Sequence, residues 1–204
     1  RAVSVLGNVS LSLFLAMAGA GSVLYEGFFA PQVFLNLLID NAFLCVVAVG
    51  MTFVILTGGI DLSVGAVVAL STVLLAALVQ RLGISPSLAI PLVLAAGSAI
   101  GILHGVLIQR FRLQPFIVTL AGMFLARGIS HLLSTDSISI DDSGYRQFAA
   151  ARISLGVGFV STGAIIACVV VGLGIWLAHA TPFGRTVYAV GGDEASARLM
   201  GLQV

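Results

Sequence analysis

A carboxylate behind two glycines interrupts a long apolar stretch, in Thr57-Gly58-Gly59-Ile60-Asp61-Leu62-Ser63-Val64-Gly65. Asp61 is the only charged side chain between Asp40 and Arg81. Its oxygens can accept hydrogen bonds from a hydroxyl-bearing solute, or they can cap the N–H groups of the helix that follows. The residues alone leave both open. Lipid is a poor neighbour for this segment, because glycine lowers helix stability by about 1 kcal/mol. An aspartate near the centre of a membrane helix costs about 2.5–3.5 kcal/mol. Such a segment belongs where backbone and carboxylate face protein, water or a passing solute.

A second ionic group, Arg127 in Phe124-Leu125-Ala126-Arg127-Gly128, also sits deep in an apolar run. It snorkels, pairs with an anion such as Asp61, or touches solute. Asn36 and Asn41, beside Asp40, are hydrogen-bonding groups for a polyol or for helix ends, and Phe116 offers an aromatic face. Covalent chemistry finds no such set. The nine cations are all arginine, so no Walker lysine exists, and neither HExxH nor GxSxG occurs. The GxG pairs at Gly19/Gly21, Gly156/Gly158 and Gly172/Gly174 lack the third glycine of a dinucleotide site. His104, His131 and His179 are scattered and read as helix-face residues. Cys45 and Cys168 read as apolar thiols within spans. No cofactor and no metal set is implied.

The elements that position these residues follow from composition. Hydrophobic residues make up 59% of the chain, charged residues 8%, and the mean hydropathy is +1.17. A soluble domain carries about 25% charge, so the chain reads as an all-α polytopic membrane protein. The net charge of +1 implies no nucleic-acid partner. Runs of about 20 apolar residues place about six membrane helices at 8–25, 34–56, 62–80, 86–108, 114–134 and 155–178, with a glycine-broken hairpin at 57–65. Residues 9–25, with Ala16-Met17-Ala18, mimic a signal peptide but read as a retained first span. Pro31, Pro86, Pro115 and Pro182 fall at or near connectors, as helix starts should. Gly97-x3-Gly101-x3-Gly105 makes a groove suited to close helix packing. With the N-terminus in the cytoplasm, Arg1, Arg110, Arg112, Arg185 and Arg198 lie inside and Arg81, Arg146 and Arg152 outside, which satisfies the positive-inside rule.

The tail differs. After Thr181-Pro182-Phe183-Gly184-Arg185 comes Tyr188-Ala189-Val190-Gly191-Gly192-Asp193-Glu194-Ala195-Ser196-Ala197-Arg198-Leu199-Met200-Gly201. Asp193 and Glu194 mark a helix start, with acids at the positive end of the dipole. Ala197, Met200 and Gly201 fall on one face of a short amphipathic helix, suited to a partner or to the membrane interface.

Three segments, "TGGIDLSVGAVVAL", "PFIVTLAGMFLARGIS" and "TPFGRTVYAVGGDEASARLMGL", resemble the permease subunits of bacterial sugar ABC importers of the ribose/xylose/arabinose/galactose type. "DNAFLCVVAVGMTFVIL" and "DSISI" resemble the galactofuranose branch. The resemblance implies a multi-pass subunit of the bacterial inner membrane that works beside a second permease copy or paralogue, two cytoplasmic ATP-binding subunits and a periplasmic sugar-binding protein. It makes segment 180–204 the element that couples to the ATPase, through Gly184, Arg185, Glu194, Ala195 and Gly201. It sets the Gly58-Gly59-Asp61 break near the sugar path, where Asn41, Phe116 and Arg127 are further candidates. ATP hydrolysis would belong to the partner, so this subunit would be no enzyme. Family permeases continue with several more helices, so residues 1–204 read as the N-terminal part of a single permease domain. A stand-alone secondary transporter or a membrane-embedded enzyme is the alternative; an ATPase-docking tail separates the two readings.

Overall fold

The computed structural model describes residues 2–202, with side chains from residue 9 onward. Arg1, counted above among the cytoplasmic charges, and the last two residues of segment 180–204 lie outside the described residues. In chain order the elements are α1 (Ala2–Leu24), α2 (Pro31–Asp40), α3 (Ala42–Leu56) and α4 (Val64–Ala76), which runs into a π-turn (Ala77–Arg81). Next come α5 (Pro86–Phe111), α6 (Pro115–Leu133), α7 (Ser143–Ala150), β1 (Arg152–Ser154) and β2 (Phe159–Ser161), then α8 (Thr162–Ala180), α9 (Pro182–Gly192) and α10 (Glu194–Leu199). Among the described residues four helices are long and apolar enough to cross a membrane, or five if α2 and α3 count as one bent span. The protein is an all-α polytopic membrane protein.

Three boundaries differ from the sequence expectation, each for a local reason. The expected span 34–56 is broken at Asn41, where α2 and α3 meet at 57°. Asn41 adopts φ −104° and ψ 10°, and its Nδ2 donates to the Leu37 carbonyl at 2.8 Å, the local side-chain bond that competes with helix propagation. The expected span 155–178 starts only at Thr162, because Arg152–Ser154 and Phe159–Ser161 form an antiparallel hairpin. Gln32 secures that hairpin: its Oε1 accepts from the Phe159 N–H at 2.8 Å and its Nε2 donates to the Phe159 carbonyl at 3.2 Å. The connector 135–154 also contains α7, whose first turn is capped by Asp142 Oδ1 accepting from Tyr145 N–H at 2.7 Å.

The helices form two packed groups. In one, α3 lies on α8 and α9, with Ala42, Val160, Ala164 and Ala167 at the centre. Ala164 and Ala167 are fully buried, and a Cβ on Gly174 would fall 2.6 Å from Val49 Cγ1, so small residues set this approach. In the other group α4 packs on α6 and α5, around Ala66, Leu70 and Ala126. Arg81, brought round by the π-turn, donates to the Leu133 carbonyl at 2.6 Å and to Ser134 Oγ at 3.0 Å, closing the C-terminal end of α6.

The legs of the 57–65 break belong to different groups, α3 to α8 and α4 to α6, so the break is a strap between them. The groove of Gly97, Gly101 and Gly105 receives no helix among the described residues, because a Cβ on any of them would meet nothing within 4 Å. The close approaches are made by Gly122, Gly174, Gly184 and Gly191 instead.

Candidate solute cleft and terminal helix pair

The strap is built by its glycines. At the end of α3 the Gly58 N–H donates to the Ile55 carbonyl at 2.9 Å and the Gly59 N–H to the Val54 carbonyl at 3.0 Å. This bond pair satisfies the last carbonyls of a helix and needs a left-handed residue between them. Gly58 supplies it with φ +77°. The chain then runs without helix until Ser63, fixed from the side by Thr119 of α6. That hydroxyl accepts from the Leu62 N–H at 3.2 Å, and its proton lies within reach of the Ile60 and Pro115 carbonyls, at 3.2 and 2.9 Å. Asp61 Oδ1 accepts from the Ser63 N–H at 2.7 Å and from Ser63 Oγ at 2.6 Å. Ser63 is buried, so this carboxylate satisfies a backbone donor that water does not reach.

Asp61 also lines a cleft of about 310 Å³ between α3, α4 and α5, together with Ser63, His104, Gly97 and Gly101. Of the residues singled out as path candidates, this cleft takes Asp61 alone. Asn41 is at the α2–α3 bend, Phe116 in the first turn of α6, and Gly58 and Gly59 in the cap of α3. Arg127 is exposed on α6, as are Phe124 and Leu125, and among the described residues no ion pair joins it to Asp61. His104 and Thr119 were missed. For His104 a signal existed: 97, 101 and 104 share one helical face. For Thr119 there was none, since its strap partners Ile60 and Leu62 lie far away in sequence.

The tail forms a second construction. Thr181 ends α8 and starts α9, with Oγ1 accepting from the Gly184 N–H at 3.3 Å and donating to the Leu177 carbonyl at 2.6 Å. Pro182 occupies the first turn, where its missing N–H is not needed. A Cβ on Gly184 would collide with the Ala178 carbonyl oxygen, and one on Gly191 with that of Leu56. The end of α9 therefore rests on the last residue of α3, directly before the glycine strap. The expected helix start is in place: Asp193 Oδ1 accepts from the Ser196 N–H at 2.6 Å. That backbone bond, then the Ser196 side chain and the Ala195 N–H, hold its carboxyl below the usual carboxylate range. Glu194 and Arg198 pair at 2.6 Å along α10. Gly201, at φ +80°, closes α10 with its N–H on the Arg198 carbonyl, and Leu202 N–H reaches Ala197. Of the expected apolar face only Ala197 is buried, while Met200 and Gly201 are exposed.

Apolar spans, a polar strap between two helix groups and a short helix pair beyond the last span define a multi-pass membrane protein. The chain belongs to the family described as the branched-chain amino acid transport system / permease component, whose profile matches residues 33–204. It is 49% identical over 179 residues to the inner membrane ABC transporter permease protein YjfF of Escherichia coli (strain K12), covering 87% of this chain and 54% of that protein. It is 42% identical to the fructose import permease protein FruG of Bifidobacterium longum (strain NCC 2705), over 94% of this chain and 58% of that protein. The ribose import permease protein RbsC of Bacillus subtilis (strain 168) is 41% identical, over 90% of this chain and 56% of its own length. The chain spans somewhat more than half the length of these curated relatives. No solved structure matches it significantly.

Proposed function

We propose that this chain is the membrane-spanning part of a permease subunit in an ATP-driven importer of monosaccharides, set in a bacterial inner membrane. The observation that carries the proposal is similarity over 90% or more of this chain to permeases named for fructose and ribose import. The family description mentions branched-chain amino acids, but these relatives draw the substrate class toward sugars. The galactofuranose branch belongs to the same proposal as one candidate sugar. Partners are cytoplasmic ATP-binding subunits, a periplasmic sugar-binding protein and a second permease copy or paralogue. The subunit itself performs no covalent chemistry.

Two features of the fold support a division of labour. Asp61 stands where a polar solute path between α3, α4 and α5 would need an acceptor. The α9–α10 pair offers an ATPase docking element, with Gly184 and Arg185 in its first turn, Glu194 and Ala195 exposed at the start of α10, and Gly201 as its closing glycine. Because α9 rests on the end of α3, movement of the pair passes to the strap. Ala195→Trp and Glu194→Trp lower recovery of the cognate ATPase in co-purification at unchanged membrane content. Full recovery by both variants contradicts the docking role. A stand-alone secondary transporter, which also uses broken helices, needs no such docking element.

A further inference from the structure

We infer that His104 is a solute-contacting residue: the cleft it shares with Asp61 and Ser63 takes an uncharged polyhydroxylated ring, a monosaccharide. This rests on the sugar-import reading and adds to it a residue and a place.

His104 is only 8% exposed, lines the cleft, and makes no hydrogen bond or ion pair among the described residues. Among the described residues no buried side-chain nitrogen lacks a partner, so the unpartnered ring nitrogens of His104 reach open space and are free to bind a ligand. Its position is fixed from behind: the Nε2 edge of the ring packs on Gly122 of α6, where a Cβ would collide with it. A neutral imidazole nitrogen donates or accepts according to the tautomer, and a hydroxyl can answer either. Across the cleft Asp61 has Oδ1 engaged by Ser63, while Oδ2 makes no hydrogen bond among the described residues. A carboxylate has about four acceptor positions, so a second hydroxyl finds one there. Gly97 and Gly101 open the α5 wall on either side of Ile100, and Val47, Met51 and Val54 make the α3 wall apolar. A sugar ring presents both hydroxyls and C–H groups, which suits such a mixed lining. The cleft's roughly 310 Å³ is at the small end of the about 300–1,000 Å³ usual for small-molecule sites.

The test uses the complete importer, with full-length permease, ATPase and binding protein, in ATP-loaded proteoliposomes supplied with labelled ribose, fructose or galactofuranose. H104L and G101V are each expected to lower uptake roughly tenfold at normal membrane content and normal ATPase recovery. H104Q keeps a hydrogen-bonding group and retains more uptake than H104L. G105V, on the same helix with equal free space but outside the cleft lining, transports at the wild-type rate. Wild-type uptake by H104L or G101V, or an equal loss in G105V, overturns the inference. If H104L does not accumulate, G101V decides, since its added Cβ meets no atom within 4 Å. A wild-type importer that takes up no sugar overturns the sugar reading. Sugar uptake unaffected by the cleft variants overturns this inference alone.

Discussion

Single residues separate structural from transport roles most cleanly at Asp61. Its Oδ1 holds the buried Ser63 N–H, and leaving such a donor unsatisfied costs about 1–3 kcal/mol. Asp61→Leu therefore lowers thermal stability in detergent as well as uptake. Asp61→Asn keeps a carbonyl acceptor for Ser63 and loses the charge. Stability near wild type is expected for it, with uptake clearly reduced; unimpaired uptake would leave Asp61 as a cap alone. Glycines sort in the same way. Gly191→Ala pushes a methyl onto the Leu56 carbonyl, an overpacking that costs about 1–3 kcal/mol. Gly172→Ala meets nothing within 4 Å and gains about 0.5–1 kcal/mol of helix stability. Thermal unfolding of the purified protein checks both. The two roles open to Asp61 were legible beforehand, but the glycine roles were not: Gly172, Gly174 and Gly191 look alike in sequence, and only the fold decides which meets a neighbour.

Among the elements, the long apolar ones were legible and the short polar ones were not. Pro86–Phe111 and Pro115–Leu133 follow the apolar runs and their starting prolines almost residue for residue. The bend at Asn41 was hidden, because the apolar run passes through it and one side-chain bond makes the break. The hairpin Arg152–Ser161 depends on Gln32, more than a hundred residues earlier, and no local pattern encodes that. Asp193 was readable as a helix start, while Gly201, read as part of the apolar face, proves to be the closing glycine; the geometry of Asp193 gives α10 a pH dependence. Its folded carboxyl lies below the ordinary carboxylate range, so the charged cap stabilises α10 above that range and is lost as pH falls through the lowered value. Helicity of the tail, followed by circular dichroism of a 180–204 peptide in micelles, should be constant near neutrality and fall only in acid. Asp193→Ala should show lower helicity throughout and no such acid step. An unchanged acid profile in that variant would assign the titration to another group.

For the whole molecule, two helix groups are joined by a strap that carries a carboxylate, with a cleft beside it. A pair of short helices braces the strap's origin. On the proposed function, that arrangement would give ATP-driven motion at α9–α10 a direct route to Asp61, a coupling between two sites of the kind that differential binding must drive. The family was legible from three ordered motifs; the cleft wall formed by His104, Gly97 and Gly101 was not, because its free space appears only once α4 and α6 have packed on α5 beside it. The account's central claim is sugar import driven by a partner's ATP. Its most direct test is uptake of labelled ribose, fructose, galactofuranose and leucine by the complete importer in proteoliposomes, with and without internal ATP. Uptake of at least one sugar, dependent on ATP and on the binding protein and without leucine uptake, is the predicted result. Leucine uptake in place of sugar, or sugar uptake that persists without ATP, would contradict it.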